Sequence, residues 1–341
     1  MKHKNKVLLL FVVFLFAAAL VFAAGQKEKA PEKGKVKIAM VVKNLGNAFF
    51  EACHDGGKEA AKELGGFELI FQGPSTPTAE GQIEIIDSLI AQKVDGIAIS
   101  ANDKDALVPI CKKAMSKGIK VISFDSGIAP EGRILHLAPS SDEYIGRSEV
   151  QLLAEMIGYK GEIAILSASS TATNQNAWIE WMKKELEKPE YKNMKLVAIV
   201  YGDDLSDKSY REAMGLFKSY PNLRGIISPT TVGIAATAKA LEDAGLAGKI
   251  ALTGLGLPSE MKQYIKDGTC EKMELWNPID LGYSSTYITY KLVTGEFTGK
   301  PGEVMHVGRM GDIKVGEDGV AVMGKPYVFD KSNIDKFAAI Y

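Results

Sequence analysis

The 341-residue chain has few cysteines and histidines and almost no net charge, which disfavours several classes of protein. It has only three cysteines and four histidines, and its 41 Lys and Arg residues balance 42 Asp and Glu residues. Three cysteines without a C-x-x-C pair exclude a disulfide scaffold and disfavour a cysteine zinc site. A net charge of −1 argues against a nucleic-acid binder, which usually carries a basic patch. With 46% hydrophobic and 24% charged residues, the composition is that of an ordinary globular protein with room for two domains.

The motifs of common enzymes are also absent. The sequence has no H-E-x-x-H, no G-x-S-x-G and no G-x-x-x-x-G-K-[ST], and the pair Gly254-x-Gly256 lacks the third glycine of the dinucleotide fingerprint. We therefore expect no catalysis, no cofactor and no metal, and this chain is not itself an ATPase. An enzyme acting in the periplasm is the alternative from another class, and it would form a product.

The N-terminal segment has the three parts of a secretory signal peptide. Lys2, Lys4 and Lys6 precede the wholly apolar run 7–24, and Ala23 ends a small-residue cleavage pattern. We predict a signal peptide over 1–23, cleavage after Ala23, a flexible leader over 24–35 and a mature protein in the periplasm. An uncleaved membrane anchor is the alternative. No cysteine lies near the cleavage point, so we do not expect a lipoprotein.

From residue 36 the chain alternates strand patterns with amphipathic helix patterns, in two similar blocks. Strands are predicted at 36–42, 67–71, 95–100 and 119–124, and then at 161–166, 195–201, 225–228, 250–254 and 271–276. Such alternation predicts parallel sheets with right-handed crossovers. The fold class is therefore α/β, with two Rossmann-like lobes that face each other across a cleft. After residue 294, frequent Gly, Pro and Asp predict hairpins and turns.

Polar and aromatic side chains follow the predicted strands. Ligands of open parallel sheets bind outside the carboxyl ends of the strands, so these positions are the candidate site. They are rich in amides, hydroxyls and aromatic rings, with one clear acid, Asp125, and one lysine, Lys43. Amides and carboxylates hydrogen-bond to hydroxyls, and aromatic faces cover C–H surfaces. The mixture therefore favours a neutral, hydroxylated ligand.

Several of these segments resemble a known family. Asn47-Ala48-Phe49-Phe50 resembles the Asn-Pro-Phe-Phe motif of ribose-binding proteins, and Asp125 stands where those proteins have a sugar-binding aspartate. Throughout its mature length the chain is similar to type I periplasmic sugar-binding proteins of ABC importers. The similarity is greater to the subgroup that binds rhamnose or autoinducer-2, and it is carried by the stretches 173–176, 201–208, 254–261 and 275–283.

The resemblance implies a set of ligand contacts in the cleft. The candidate residues are Lys43, Asn47, Phe49, Phe50, Asp125, Asn174, Gln175, Pro229, Thr231 and Trp276. Lys43, Asp125, Gln175 and Pro229 match the autoinducer-2 receptors, whereas Asn174 and Thr231 differ from the aspartate and alanine of those receptors. An arginine near position 174 and an aspartate near Gly256, both typical of ribose-binding proteins, are absent. We expect rhamnose or a similar deoxy-sugar, whose methyl group an aromatic wall can accept, and autoinducer-2 is the alternative.

Some of these side chains also have a purely structural interpretation. Asp125 and Asn174 are residue types that cap turns and helices. Of Phe49 and Phe50, which begin a helix, we expect one in the cleft and one packed inward. Trp178 is assigned to neither role.

By the same resemblance the chain crosses between the lobes three times, near 138–139, 276–278 and 304–308. The N-terminal lobe would then comprise 36–138 with 278–305, and the C-terminal lobe 139–277 with 306–341.

Ligand contacts from both lobes would favour a closed state, which docks on a membrane permease driven by a separate ATPase. We expect a monomer without a nucleic-acid partner. The rims of the lobes, including 203–204 or 59–62, are the candidate docking surfaces.

Overall fold

A computed structural model describes residues 35–341, and the predicted signal peptide with its cleavage point lies outside the described residues. The strands are β1 (Val36–Val41), β2 (Phe67–Gln72), β3 (Gly96–Ile99), β4 (Lys120–Phe124), β5 (His136–Ala138), β6 (Gly161–Ser167), β7 (Met194–Tyr201), β8 (Leu223–Ser228), β9 (Ala251–Gly254), β10 (Met273–Leu275), β11 (Val304–His306), β12 (Asp312–Lys314), β13 (Val320–Val322) and β14 (Tyr327–Phe329). The helices are α1 (Ala48–Leu64), α2 (Ala79–Ala91), α3 (Val108–Ser116), α4 (Asp142–Ile157), α5 (Thr173–Leu186), α6 (Ser206–Ser219), α7 (Thr231–Asp243), α8 (Pro258–Asp267), α9 (Pro278–Thr294) and α10 (Ile334–Phe337). Between residues 35 and 341, no helix is both long enough and apolar enough to cross a membrane.

Two parallel sheets organise these elements. The first sheet has the order β13-β5-β4-β3-β1-β2, and the second has the order β7-β6-β8-β9. Neighbouring strands run parallel within each sheet. The central strands are short apolar runs that are buried on both faces, as strands between two layers of helices must be. We refer to the parts built around these sheets as the first and the second lobe, and the α/β prediction is confirmed.

Helices α1 and α9 pack against each other at backbone distance in the first lobe. A Cβ atom on Gly56 would lie 1.8 Å from the carbonyl oxygen of Ile279, and one on Gly282 would lie 1.8 Å from that of Cys53. Only glycine permits this approach because it has no Cβ atom, and the two helices form one closely packed layer. Helix α9 also contacts β3 and β4 of the first sheet.

The last crossing between the lobes differs from the expectation. The prediction placed it near 304–308 and assigned 306–341 to the second lobe. Instead β13 pairs in parallel with β5 at the edge of the first sheet, and β14 then pairs with β10 in the second lobe. The chain therefore crosses between residues 323 and 326. A three-residue strand among glycines has no pattern that names its partner strand, so only the fold assigns it.

Two elements were not predicted at all: β5 and helix α4. The segment between β4 and β6 was left without structure in the sequence analysis. Helix α4 nevertheless has local signals, since Ser141 Oγ accepts the amide hydrogen bond of Tyr144 at its start and Gly158 adopts a left-handed conformation at its end.

Candidate functional site

A cavity lies between the lobes, outside the carboxyl ends of β1 and β4 in the first lobe and of β6 to β10 in the second. It encloses about 360 Å³ of empty space, part of which opens to solvent. Its walls are formed by Lys43, Asn47, Phe49, Phe50 and Asp125 from the first lobe and by Asn174, Gln175, Trp178, Asp204, Pro229, Thr230, Thr231, Leu255, Leu275 and Trp276 from the second.

The structure brings all ten sequence-predicted residues to this one cavity. They come from five separate strand ends and from the starts of helices α1, α5 and α7. Parallel strands end at the same edge of a sheet, and two such edges face each other here. Sequence positions as far apart as Lys43 and Trp276 therefore line one cavity.

Lys43 forms the polar centre of the cavity and joins the lobes. Its Nζ atom donates to Asn174 Oδ1 at 3.0 Å and lies 3.9 Å from Asp125 Oδ2. Asn174 Nδ2 in turn donates to Asp125 Oδ1 at 3.4 Å. All three residues are at least 94% buried, so these contacts act in a medium that screens charge poorly. The interpretation of Asp125 and Asn174 as capping residues alone is therefore incomplete.

Asp125 is held in an unusual backbone conformation. Its φ of +57° lies in the left-handed region, which costs free energy for any residue with a side chain. Ser100 Oγ donates to its Oδ2 at 2.7 Å. Burial raises the pKa of the Asp125 carboxyl, and the nearby Lys43 ammonium and the Ser100 hydrogen bond counteract that rise. Such strain and desolvation together are typical of residues at a functional site.

The side-chain oxygens of two amides in the cavity already accept hydrogen bonds from other protein groups. Gln175 Oε1 accepts hydrogen bonds from Ser167 Oγ and from the backbone amide of Ala168, both at 2.7 Å. Asn47 Oδ1 accepts from the amide of Phe49 at 3.0 Å and so caps helix α1. Both amides line the cavity in fixed orientations, because their oxygens are held.

An aromatic wall closes the other side. Phe49 meets Phe50 edge to face at 5.2 Å and Trp276 at 6.1 Å, and Trp276 meets Trp178 at 5.9 Å between ring centroids. The expectation that one of the two phenylalanines packs inward, away from the cleft, is wrong, because both line the cavity. They pack against each other at right angles, so each ring shows an edge or a face to the same space.

Sequence reasoning missed five residues of the cavity. Thr230 and Leu275 adjoin predicted residues, Leu255 lies in the stretch 254–261 that carries the family resemblance, and Trp178 had no assigned role. Asp204 was expected on an exposed docking surface, yet it is 8% exposed and lines the cavity. It follows strand β7, so the rule that ligands meet strand ends would have selected it.

The lining offers no metal site. Among residues 35–341, no three His, Cys, Asp or Glu side chains are grouped closely enough to hold a metal ion. What the cavity offers is one ammonium, two carboxylates, amides and hydroxyls opposite aromatic rings. This arrangement can fix a small polar molecule by hydrogen bonds and by contact with its C–H faces.

Comparison with known proteins supports one family. The family model described as periplasmic binding protein domain matches residues 38–297. An ABC transporter solute-binding protein from Clostridium phytofermentas, crystallised with bound L-rhamnose, is 38% identical with a TM-score of 0.87, and the match covers 90% of this chain and 99% of that one. A sugar ABC transporter protein from Actinomyces odontolyticus is 40% identical with a TM-score of 0.71, covering 89% and 97% of the two chains.

A third solved structure shares the fold at lower identity. LsrB from Clostridium saccharobutylicum in complex with AI-2 is 23% identical with a TM-score of 0.84, and the match covers 89% of this chain and 99% of that one. The family match spans most of the described residues, and the two parallel sheets flanking a cleft agree with it. The chain belongs to the periplasmic binding protein domain family, with solute-binding proteins of ABC transporters among its relatives.

Proposed function

We propose that this chain is the extracytoplasmic sugar receptor of an ABC importer and that it binds rhamnose or a similar deoxy-sugar in the interlobe cavity. The single observation that carries the proposal is the cavity itself, in which hydrogen-bonding groups from both lobes face an aromatic wall. The relative that is 38% identical over nearly all of its length holds L-rhamnose, which supports this choice of ligand.

The polar groups provide the contacts that hydroxyls need. Lys43 donates, Asp125 accepts, and the NH₂ group of Gln175 is left to donate because its oxygen is already bound. Trp276 Nε1 is buried without a hydrogen-bond partner among the described residues. A buried donor of this kind costs free energy until it is satisfied, and a sugar hydroxyl or ring oxygen satisfies it. The methyl group of a deoxy-sugar would rest on Phe49.

Binding works by closure of the two lobes. Thr171 Oγ1 donates to the carbonyl oxygen of Asn102 across the cleft at 3.2 Å, and Lys43 and Asn174 make a second bridge at 3.0 Å. A ligand that contacts both lobes adds its own bridges and so favours the closed state over the open one. The closed receptor then delivers its ligand to a membrane permease with a separate ATPase, and no bond of the ligand is changed. The predicted signal peptide, periplasmic location and monomeric state belong to this proposal.

Autoinducer-2 is the second candidate ligand. Lys43, Asp125, Gln175 and Pro229, which match the receptors of that molecule, all line the cavity. Asn174 and Thr231 differ from those receptors, and they lie in the same lining. Because the two differing residues change the hydrogen-bonding pattern, we rank rhamnose first.

A thermal-shift and calorimetric panel tests the proposal. L-rhamnose, other monosaccharides and autoinducer-2 are each added to the mature chain, and the sugar solutions are afterwards analysed for products. A true ligand at a hundred times its Kd adds about 2.7 kcal/mol to the free energy of unfolding. We expect L-rhamnose to give the largest shift, with no product.

The matching variant is Asp125→Ala, which removes a central acceptor. We expect the ligand-induced shift to vanish while the circular dichroism spectrum stays that of the wild type. Unchanged affinity would remove Asp125 from the site, and a sugar product would establish an enzyme instead.

A further inference from the structure

The second lobe contributes a buried carboxylate, Asp204, that faces the first-lobe carboxylate Asp125 across the cavity. It lies in the turn between β7 and α6. Both Asp203 and Asp204 have positive φ values, +53° and +50°. Two consecutive residues in this region are unfavourable, so the surrounding structure must hold the turn in place.

The contacts that hold the turn are visible. The amide of Gly202 donates to the carbonyl of Ser167, and the amide of Asp203 donates to the carbonyl of Ala168, both at 2.8 Å. A Cβ atom on Gly202 would lie 2.0 Å from Ser209 Oγ, so the turn is pressed against helix α6. The strained conformation is therefore maintained by β6 and α6, and its effect is to place the Asp204 carboxylate in the cavity.

The charges of the lining do not balance. Lys43 brings one positive charge, and Asp125 and Asp204 bring two negative charges, which leaves a formal excess of one negative charge. Burial raises the pKa of the Asp204 carboxyl, the Lys43 ammonium and a hydrogen bond from Thr230 lower it, and neighbouring Asp203 raises it further. A desolvated site with excess negative charge repels a ligand that carries a carboxylate or a phosphate.

Asp204 also keeps capacity to accept hydrogen bonds. Thr230 Oγ1 donates to its Oδ1 atom. A carboxylate has about four acceptor positions on two oxygens, so Oδ2 and the second lone pair of Oδ1 are left for other donors. In a cavity that suits hydroxyl groups, the donor that reaches this carboxylate is a hydroxyl of the ligand.

We infer that Asp204 is a specificity-determining residue of the cleft, which accepts a hydrogen bond from one hydroxyl of a neutral sugar and excludes sugar acids by charge. This inference rests on the proposed function, since it names the chemistry by which the same site selects its ligand. The inference adds to the site a residue that the sequence analysis had assigned to a candidate docking surface.

The test is a double-mutant cycle in which the Asp204 carboxylate and one ligand hydroxyl are removed singly and together. Wild type, Asp204→Asn and Asp203→Asn are titrated calorimetrically with L-rhamnose, with its 2-, 3- and 4-deoxy analogues, and with its 6-carboxylate counterpart, L-mannuronate. Asparagine keeps the shape of aspartate and tolerates positive φ, so both variants retain the turn. Asp203 is the matched control, because it is paired with Lys208 outside the cavity.

We expect one deoxy analogue to bind wild type about 10- to 100-fold more weakly than L-rhamnose, as the loss of a hydrogen bond to a charged group predicts. In Asp204→Asn that penalty should fall below about 3-fold, and L-mannuronate should gain at least about 10-fold in affinity. Asp203→Asn should behave as wild type.

Two results would overturn the assignment of Asp204 alone. One is wild-type affinity of Asp204→Asn for every compound. The other is an equal loss for all of them, which is what a merely structural role in holding Thr230 would produce. If wild type itself binds neither L-rhamnose nor any other sugar of the panel, the proposed function fails and the assignment of Asp204 fails with it.

Discussion

Two buried acidic clusters lie on opposite faces of helix α4, and they differ in the groups that surround them. On one face, Glu185 of helix α5 accepts hydrogen bonds from Arg147 Nη1 at 2.6 Å, Gln151 Nε2 at 3.1 Å and Tyr191 OH at 2.9 Å, and Lys188 Nζ lies 2.6 Å away. Burial alone would raise the pKa of Glu185, but these donors outweigh it and lower that pKa to about 2. Glu185 is therefore an ionised, compensated acid.

On the other face, Glu149 lies near Glu274 of strand β10, and no cation among residues 35–341 lowers the pKa of either carboxyl. Neither oxygen of Glu149 has a hydrogen-bond partner among the described residues, and Glu274 receives one bond, from Ser148 Oγ at 2.5 Å. Burial and the charge of Glu274 raise the pKa of Glu149 well above its usual value, and burial raises the pKa of Glu274 to about 7. Because a single hydrogen bond compensates their burial, these acids bind protons more tightly than ordinary glutamates do.

The comparison shows that burial does not decide the charge of a carboxyl group, since all three glutamates are nearly inaccessible to water. The number of donors decides it. The cleft is intermediate, because one ammonium, Lys43, serves both Asp125 and Asp204. A site with incomplete compensation has unused hydrogen-bonding capacity, which a ligand can take up.

Removing Lys43, the one cation of the cavity lining, should have the largest effect on ligand affinity. Asp125 and Asp204 would then lie in the cavity without a compensating positive charge. In Lys43→Met we expect L-rhamnose affinity to fall by more than about 100-fold, because breaking a buried charged contact costs about 3–5 kcal/mol. Isothermal titration calorimetry at pH 7 measures it, with the exposed Lys117→Met as control. A loss below about 3-fold would contradict the central role of Lys43.

The uncompensated pair should make stability depend on pH. Its raised pKa values mean that the folded state binds protons more tightly than the unfolded state, so the stabilisation is complete below pH 4.5 and is lost as pH rises through about 7. For Glu274 the shift corresponds to about 3 kcal/mol. The groups that face the pair are the Ser148 hydroxyl and the Tyr144 phenol.

Urea unfolding from pH 4.5 to 8 measures this dependence. We expect Glu149→Gln and Glu274→Gln to reduce the fall in the free energy of unfolding as pH rises. Glu155→Gln, at an exposed position of helix α4, should leave that fall unchanged. Equal slopes in all variants would show that the pair is ionised.

Glu185, whose charge is compensated, should change the free energy of unfolding with pH in the opposite direction. Its effect should be the smallest of those predicted here. Glu185→Gln should lower the free energy of unfolding at pH 7 by about 1–2 kcal/mol, since Arg147 and Lys188 remain partly in water and screen the loss. Because the folded pKa is depressed to about 2, the stabilisation is present above pH 4.5 and is lost as pH falls toward 2.

The measurement is again urea unfolding, extended down to pH 3. The difference between wild type and Glu185→Gln should shrink below pH 4.5. Exposed Glu187→Gln is the control. A difference that stays constant down to pH 3 would show that Glu185 acts by packing and not by charge.

Much of the fold could be predicted, because it depends on local order along the chain. The ten proposed site residues, which the resemblance to a known family implied, all line the cavity, and their role in binding stays a prediction. Strand ends are marked by the change from apolar to polar residues, and the parallel topology turns those ends into one site. The elements that were missed, β5 and α4, lie where polar and charged residues dilute the apolar pattern. Strand β13 could not be placed, because three residues do not specify which edge they join.

The order of residues alone determined the alternation of strands and helices, the parallel sheets and the side chains at their carboxyl ends, since each follows from hydrophobic periodicity within a short segment. Only the tertiary structure decided which chain segments return to which lobe, that Asp204 faces the cleft, and which buried carboxyl groups have a raised pKa. Those outcomes depend on distances between groups far apart in the chain. In the low dielectric of the interior, charge–charge interaction energies change strongly with these distances.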